Sequence, residues 1–125
     1  MTIVVDTSAL MALVKREPGG DRVGPRLAEG IASSVIFAET LSKLALQGYD
    51  ARSIRAGLLA AGLTVEPVGL DDVQGVVALH SLALRKTSLA DRFCLALALD
   101  RNLPVLTADR PWIDLGLPLK IELIR

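Results

Sequence analysis

Four acidic side chains sit where the sequence passes between an apolar strand and a helix or turn. Asp6 follows "IVV", Glu39 lies in "VIFAETLSKL", Asp91 in "SLADRF", and Asp109 follows "PVLTA". In an open parallel sheet, groups at the carboxyl ends of the strands converge on one rim where ligands bind. Asp6 and Asp109 would end strands on that rim. Glu39, a few residues into the helix after Ser34, and Asp91, in the first turn of the helix starting at Ser88, would reach it from helices that begin there. Two carboxylates about 4 Å apart repel by roughly 4 kcal/mol at an effective dielectric of about 20, so such a gathering calls for a cation. Oxygen ligands without His or Cys suit Mg²⁺ or Mn²⁺ better than zinc, and these hard ions keep waters and add phosphate oxygens to their shell. The chemistry this predicts is metal-assisted hydrolysis of a phosphodiester.

Each acid has a plainer use when taken singly. Asp6 serves equally as the N-cap of the helix opening at "TSALM". Asp91 stands three residues after Ser88, the spacing of a capping box with a shortened acid. Asp109 precedes "RPW", and proline is well placed in a first helical turn. Glu39 is the most telling of the four, because its neighbours are mostly apolar and a solvated acid belongs on a polar face.

The elements that would position these groups alternate between short apolar strands and helices. Ile3–Val5 is a strand, "TSALMALVKRE" a helix stopped by "PGG", and "DRVGPRLAEG" a second short helix weakened by Gly24 and Pro25. "IASS" reads as a strand with a serine cap, and Ile36, Leu41, Leu44 and Ala45 mark a helix that ends at Gly48. "DARSIRAGLLAAG" is a capped helix, "LTVEPV" a strand, and "LDDVQGVVALHSLALRK" one helix whose charges complement its dipole. "SLADRFCLALALDRN" is apolar on nearly every side, as in a buried helix. "LPVLTADRPW" contains a strand, and "LKIELI" is a last, edge strand. This alternation predicts an α/β fold with a central, mostly parallel sheet covered on both faces.

The 125 residues suit one domain, 1–125. The opening "MTIVVD" lacks the features of a signal peptide, and no run is long enough to span a membrane, so a cytoplasmic protein is expected. The single Cys94 excludes an internal disulfide and a cysteine-rich zinc site; as a small buried hydrophobe it fits its helix. Fourteen basic residues balance fourteen acidic ones, so any hold on nucleic acid must be local, and aromatics at 3% leave no platform for stacking successive bases. His80 reads as a surface or packing residue, and Trp112 as part of the cleft rim. Arg92 and Arg110, each following a proposed ligand, are the candidate phosphate contacts, with Lys15, Arg16, Arg85 and Lys86 extending the track. The helices at 36–46 and 54–63 carry apolar surface that suits a homodimer or a monomer's own core.

"VVDTSALMALVKREPG", the Glu in "VIFAETLSKL", and "SLADRFCLALALDRNLPVLTADRPW" together resemble a PIN domain of the VapC type, the ribonuclease toxin of bacterial toxin–antitoxin pairs. The resemblance spans nearly the whole chain and rests on four acidic motifs in order. It implies a three-layer α/β sandwich in which Asp6, Glu39, Asp91 and Asp109 hold Mg²⁺ or Mn²⁺ and cut RNA endonucleolytically. It also implies a homodimer silenced by a cognate antitoxin. Thr7, Ser8, Ser88 and Thr107 fall where the family places hydroxyls that orient ligands or water, though Thr7 and Ser8 also suit helix capping. Ala90 stands where glycine is common. Two rivals accompany this reading: a catalytically silent PIN-like module that binds RNA or protein, and an aspartyl phosphotransferase, which usually needs an acid where this chain has Ser8.

Overall fold

The computed structural model describes all 125 residues. Five strands form one sheet: β1 (Ile3–Val5), β2 (Gly30–Ser33), β3 (Thr64–Glu66), β4 (Val105–Thr107) and β5 (Ile121–Leu123). Their order is β3-β2-β1-β4-β5, and every neighbouring pair is parallel. Six α-helices connect and cover them: α1 (Thr7–Lys15), α2 (Gly20–Val23), α3 (Ser34–Leu46), α4 (Ala51–Ala60), α5 (Leu70–Ala78) and α6 (Leu89–Arg101).

Why the strands tolerate so little polarity follows from their burial. Every residue of β1, β2 and β4 is buried. Successive strand residues point to opposite faces, so both faces of the sheet centre are covered. The outer strands β3 and β5 are only partly buried, as expected of edges. Ile3, Val4, Val5, Ala32, Val105 and Leu106 pack with Leu10, Ile36, Cys94 and Leu95 in a single core. Burying one such aliphatic side chain contributes about 1.5–3 kcal/mol. Helix α6 sits against β1 and β2, which explains the apolar character around its circumference.

The chain runs from β1 outwards through β2 to β3, then crosses back to place β4 on the other side of β1. The order therefore reverses between β1 and β4. A crevice opens beyond the carboxyl ends of two strands that diverge in this way, and here those ends are followed by Asp6 and Asp109.

Two expected helices are interrupted. Residues 20–29 form α2 and then a separate 3₁₀ segment, Gly24–Glu29, because Pro25 has no N–H to continue an α-helical ladder. The segment expected as one helix from Leu70 to Lys86 ends at Ala78 and resumes as a 3₁₀ turn, His80–Arg85. There Thr87 donates both its amide and its hydroxyl to the Leu82 carbonyl, the hydroxyl at 2.7 Å, which winds the chain tightly before α6.

Much of the apolar surface expected for a dimer is internal, since Ile36, Leu44, Leu58 and Leu63 are core residues. An exposed apolar strip lies instead on α5, at Leu70, Val73 and Val77. No helix is long and apolar enough to cross a membrane.

Candidate active site

Asp6 occupies the N-cap position of α1, yet its side chain makes no capping bond. Both Ser8 Oγ, at 2.7 Å, and Thr107 Oγ1, at 2.8 Å, donate to its Oδ2. Each hydroxyl has one proton, so with both directed at Asp6 the 3.1 Å contact between the two hydroxyl oxygens carries none. Thr107 Oγ1 also accepts from the Asp109 amide, and Ser8 Oγ from the Ala108 amide. The ends of β1 and β4 are thus sewn together through two hydroxyls. Asp6 Oδ1, by contrast, is buried without any partner.

That arrangement is costly for an ionised carboxylate. Burial drives the Asp6 carboxyl from 3.8 up to about 6, against the lowering effect of Ser8 and Thr107, with the nearby negative charge of Asp91 adding to the rise. Replacing Thr107 by Val removes one of the opposing donors without changing the size of the side chain. The Asp6 carboxyl carbon, followed by NMR in metal-free buffer, is expected to titrate near pH 6 in the parent and at higher pH in Thr107→Val. An unchanged midpoint would show that the Thr107 hydroxyl does not support the ionised form.

Asp91 does form the capping box. Its amide donates to Ser88 Oγ at 3.1 Å, and its Oδ2 accepts from the Ser88 amide at 2.8 Å, leaving the second carboxylate oxygen uncommitted. Burial raises its pKa, opposed by Ser88 and reinforced by Glu39 and Asp109. Asp109 is the N-cap of the 3₁₀ turn Arg110–Asp114 but makes no side-chain cap bond. Burial raises its carboxyl too, while the indole of Trp112 draws it down. That indole N–H is nevertheless buried with no hydrogen bond of normal geometry, so the contact is loose.

Asp6, Glu39, Asp91 and Asp109 line one open cleft, together with Thr7, Ser8, Met11, Lys43, Gln47, Lys86 and Ser88. Beneath it lies Cys94, its thiol pushed well above its usual range by burial and then by the charges of Asp6, Asp91 and Glu39. Thr7 Oγ1 is buried without a partner. As the side chains stand, no three of the acids form a group that could hold an ion. Three of them are turned to separate donors, Asp6 to hydroxyls, Asp91 to an amide, and Glu39 to the Lys43 ammonium at 3.9 Å. Such a set fits a hard divalent cation, which binds through one or two carboxylates and retains waters rather than demanding a protein cage. The partnerless Oδ1 of Asp6 is the position most in need of one.

Other residues singled out in the sequence lie elsewhere. The Arg92 guanidinium donates to the Ser88 carbonyl and that of Arg110 to the Arg125 carbonyl; neither residue lines the cleft. Trp112 is buried and offers no stacking face. His80 is exposed, with Nδ1 at 3.0 Å from the Val77 carbonyl oxygen. Lys43 and Gln47 were not apparent as site residues, although their spacing from Glu39, four and eight positions along α3, puts all three on one helical face.

The family model for the PIN domain matches residues 3–116. The chain belongs to the PIN domain family. PIN domains are nucleases and generally employ divalent metal ions. No curated protein matches the sequence. In three dimensions this PIN domain is similar to a chain of a toxin–antitoxin complex from Klebsiella pneumoniae, with a TM-score of 0.75 at 19% identity over 99% of this chain and 98% of the other. It is similar to VapC20 of Mycobacterium tuberculosis, a sarcin–ricin loop cleaving toxin, with a TM-score of 0.74 at 24% identity over 92% and 95%. A DNA-bound VapBC from Salmonella typhimurium gives 0.74 at 16% over 100% and 99%. At these identities the likeness establishes a common fold, the all-parallel PIN sandwich.

Proposed function

We propose that this PIN domain is a Mg²⁺- or Mn²⁺-dependent endoribonuclease acting in the cytoplasm as the toxin of a type II toxin–antitoxin pair. The observation that carries the reading is the partnerless, buried Oδ1 of Asp6 in a cleft that also receives Glu39, Asp91 and Asp109. Asp6, Asp91 and Asp109 would hold the ion, with Glu39 completing the site. A divalent ion, when bound, supplies the positive charge that offsets these acids and the scissile phosphate and brings water to nucleophilic strength near neutral pH.

The remaining work falls to the chain itself. Ser8 and Thr107 fix the Asp6 carboxylate through Oδ2, so its other oxygen is presented without a rotameric search. Ser88 does the same for Asp91 through its amide. The Glu39 carboxylate orients the attacking water and accepts its proton. Fixing these groups beforehand places the electrostatic cost in folding rather than in the reaction step.

An antitoxin is the proposed protein partner, because structures sharing this fold were solved as toxin–antitoxin and VapBC complexes. The exposed strip Leu70, Val73 and Val77 on α5 supports a homodimer.

The test is a cleavage time course on total bacterial RNA, with Mg²⁺ or Mn²⁺ and again with EDTA, comparing the parent with Asp91→Asn. Discrete fragments that need both the metal and Asp91 are expected. Equal cutting by the variant, or cutting that persists in EDTA, overturns the assignment.

A further inference from the structure

The cleft contains two groups for which the proposed chemistry has no use: the ammonium ions of Lys43 and Lys86. They are its only cationic lining residues. Lys43 projects from α3 one turn beyond Glu39 and is held only loosely, 3.9 Å from that carboxylate with half its side chain exposed. Lys86 ends the turn His80–Arg85 in the left-handed region, at φ 62°, immediately before the Thr87–Ser88 entry to α6. A residue with a Cβ is disfavoured there and glycine is the usual occupant. Its side chain makes no ion pair and no hydrogen bond, so nothing within the fold explains a lysine at that position.

An RNA strand entering this cleft meets four carboxylates, and with a net charge of zero the protein has no long-range field to offset them. The lining offers one apolar side chain, Met11, and no aromatic ring. A grip on bases by stacking is therefore absent, and the phosphates are what the cleft can hold. We propose that Lys43 and Lys86 clamp the phosphates flanking the scissile bond of single-stranded RNA, which sets substrate affinity but not the chemical step. This deepens the nuclease reading and rests on it.

Binding is measured by fluorescence anisotropy with a labelled oligouridylate across a series of salt concentrations, on an Asp6→Asn background so that no strand is cut. Each lysine removed is expected to lower the slope of log affinity against log salt by about 0.7. Lys43→Gln with Lys86→Gly together should weaken binding about tenfold at low salt, roughly one decade of Kd. Lys86→Gly has a particular value, because glycine adopts this backbone freely: it should melt no lower than its background while binding more weakly. Lys86→Gln is the second variant, and Lys86→Arg should restore the slope. With Asp6 intact, the variants at Lys86, whose side chain touches none of the proposed catalytic acids, should raise KM for RNA and leave kcat nearly unchanged. Unaltered slopes, or a background protein that does not bind oligouridylate, overturn the clamp. Metal-dependent fragments from the parent alongside unaltered slopes would reject the lysines and keep the nuclease; a parent that cuts nothing rejects the nuclease reading itself.

Discussion

Asp6→Asn is expected to give a protein that melts higher than its parent in metal-free buffer at neutral pH and cuts no RNA. The folded carboxyl titrates at about 6 against 3.8 for the ordinary group. Between those two values the folded chain keeps a proton that the unfolded chain has released, so stability falls as pH rises through the window. Above it the full penalty, about 3 kcal/mol, persists. Asparagine removes the charge and keeps an oxygen for Ser8 and Thr107, while its amide group takes the place of the partnerless Oδ1. Leaving that amide unpaired returns about 1–2 kcal/mol of the gain, so a net rise of about 1–2 kcal/mol is expected at pH 7. For a chain of this size that is a melting increase of roughly 5 °C. Melts in EDTA at pH 4 and pH 7.5 provide the check: the parent should lose more stability between them than the variant, which keeps only the raised carboxyls of Asp91 and Asp109. Adding Mn²⁺ should raise the parent's melting point and leave the variant's in place. On the proposed mechanism, in which the metal's charge is the main source of rate, cleavage should drop by at least about a thousandfold. A variant that melts below its parent at pH 7.5 would mean that the ionised Asp6 stabilises the fold after all.

The second large effect lies far from the chemistry. Gly19 adopts φ 87°, and a Cβ built there would lie 2.3 Å from the Ile124 carbonyl oxygen and 2.7 Å from its carbon. Neither atom can yield without moving the chain just past β5, whose exit is tied to β4 by the bond from the Ile124 amide to the Thr107 carbonyl. Gly19→Ala is expected to cost about 3 kcal/mol or more, a large share of the 5–15 kcal/mol that stabilises an ordinary domain. Gly48 makes the control, because it has φ 91° but no atom within 4 Å of its would-be Cβ. Gly48→Ala should therefore cost only about 1–2 kcal/mol, from backbone conformation alone. Urea unfolding of the two variants separates crowding from conformation; equal midpoints would remove the steric argument.

The strands and most helices were legible because their signals are local. Apolar runs bounded by turns located β1, β2, β3, β4 and β5, and Asp50 and Ser88 marked the starts of α4 and α6, where both side chains accept the expected amide bonds. The break between Ala78 and His80 was not legible, because the hydroxyl that tightens the turn belongs to Thr87, an unremarkable residue beyond the segment's end. The parallel register of β5 was also hidden, since an edge strand of alternating polarity pairs equally well either way. At the site the acids could be recognised by order, but capping and ligand roles could not be separated for Asp6, Asp91 and Asp109. Only the structure shows that Asp91 caps while Asp6 and Asp109 do not. What distinguishes Asp6 is its meeting with Thr107, a contact that no window of sequence contains.

That meeting joins residues 101 positions apart. Of the five strands β1 is made first and lies at the centre of the sheet, yet one of its two partners is β4, the fourth in chain order. During synthesis the left half of the sheet can pair early, whereas the slot beside β1 must wait until β4 has emerged. Closing so long a loop is an entropic toll met late, and sheets built from distant partners fold slowly. Ser8 stands beside Asp6 from the start, but the Thr107 hydroxyl is therefore among the last pieces brought to it. A growing or prematurely terminated chain lacking β4 would carry Asp6, Glu39 and even Asp91 without the Thr107 hydroxyl and the Asp109 carboxylate that complete the cleft.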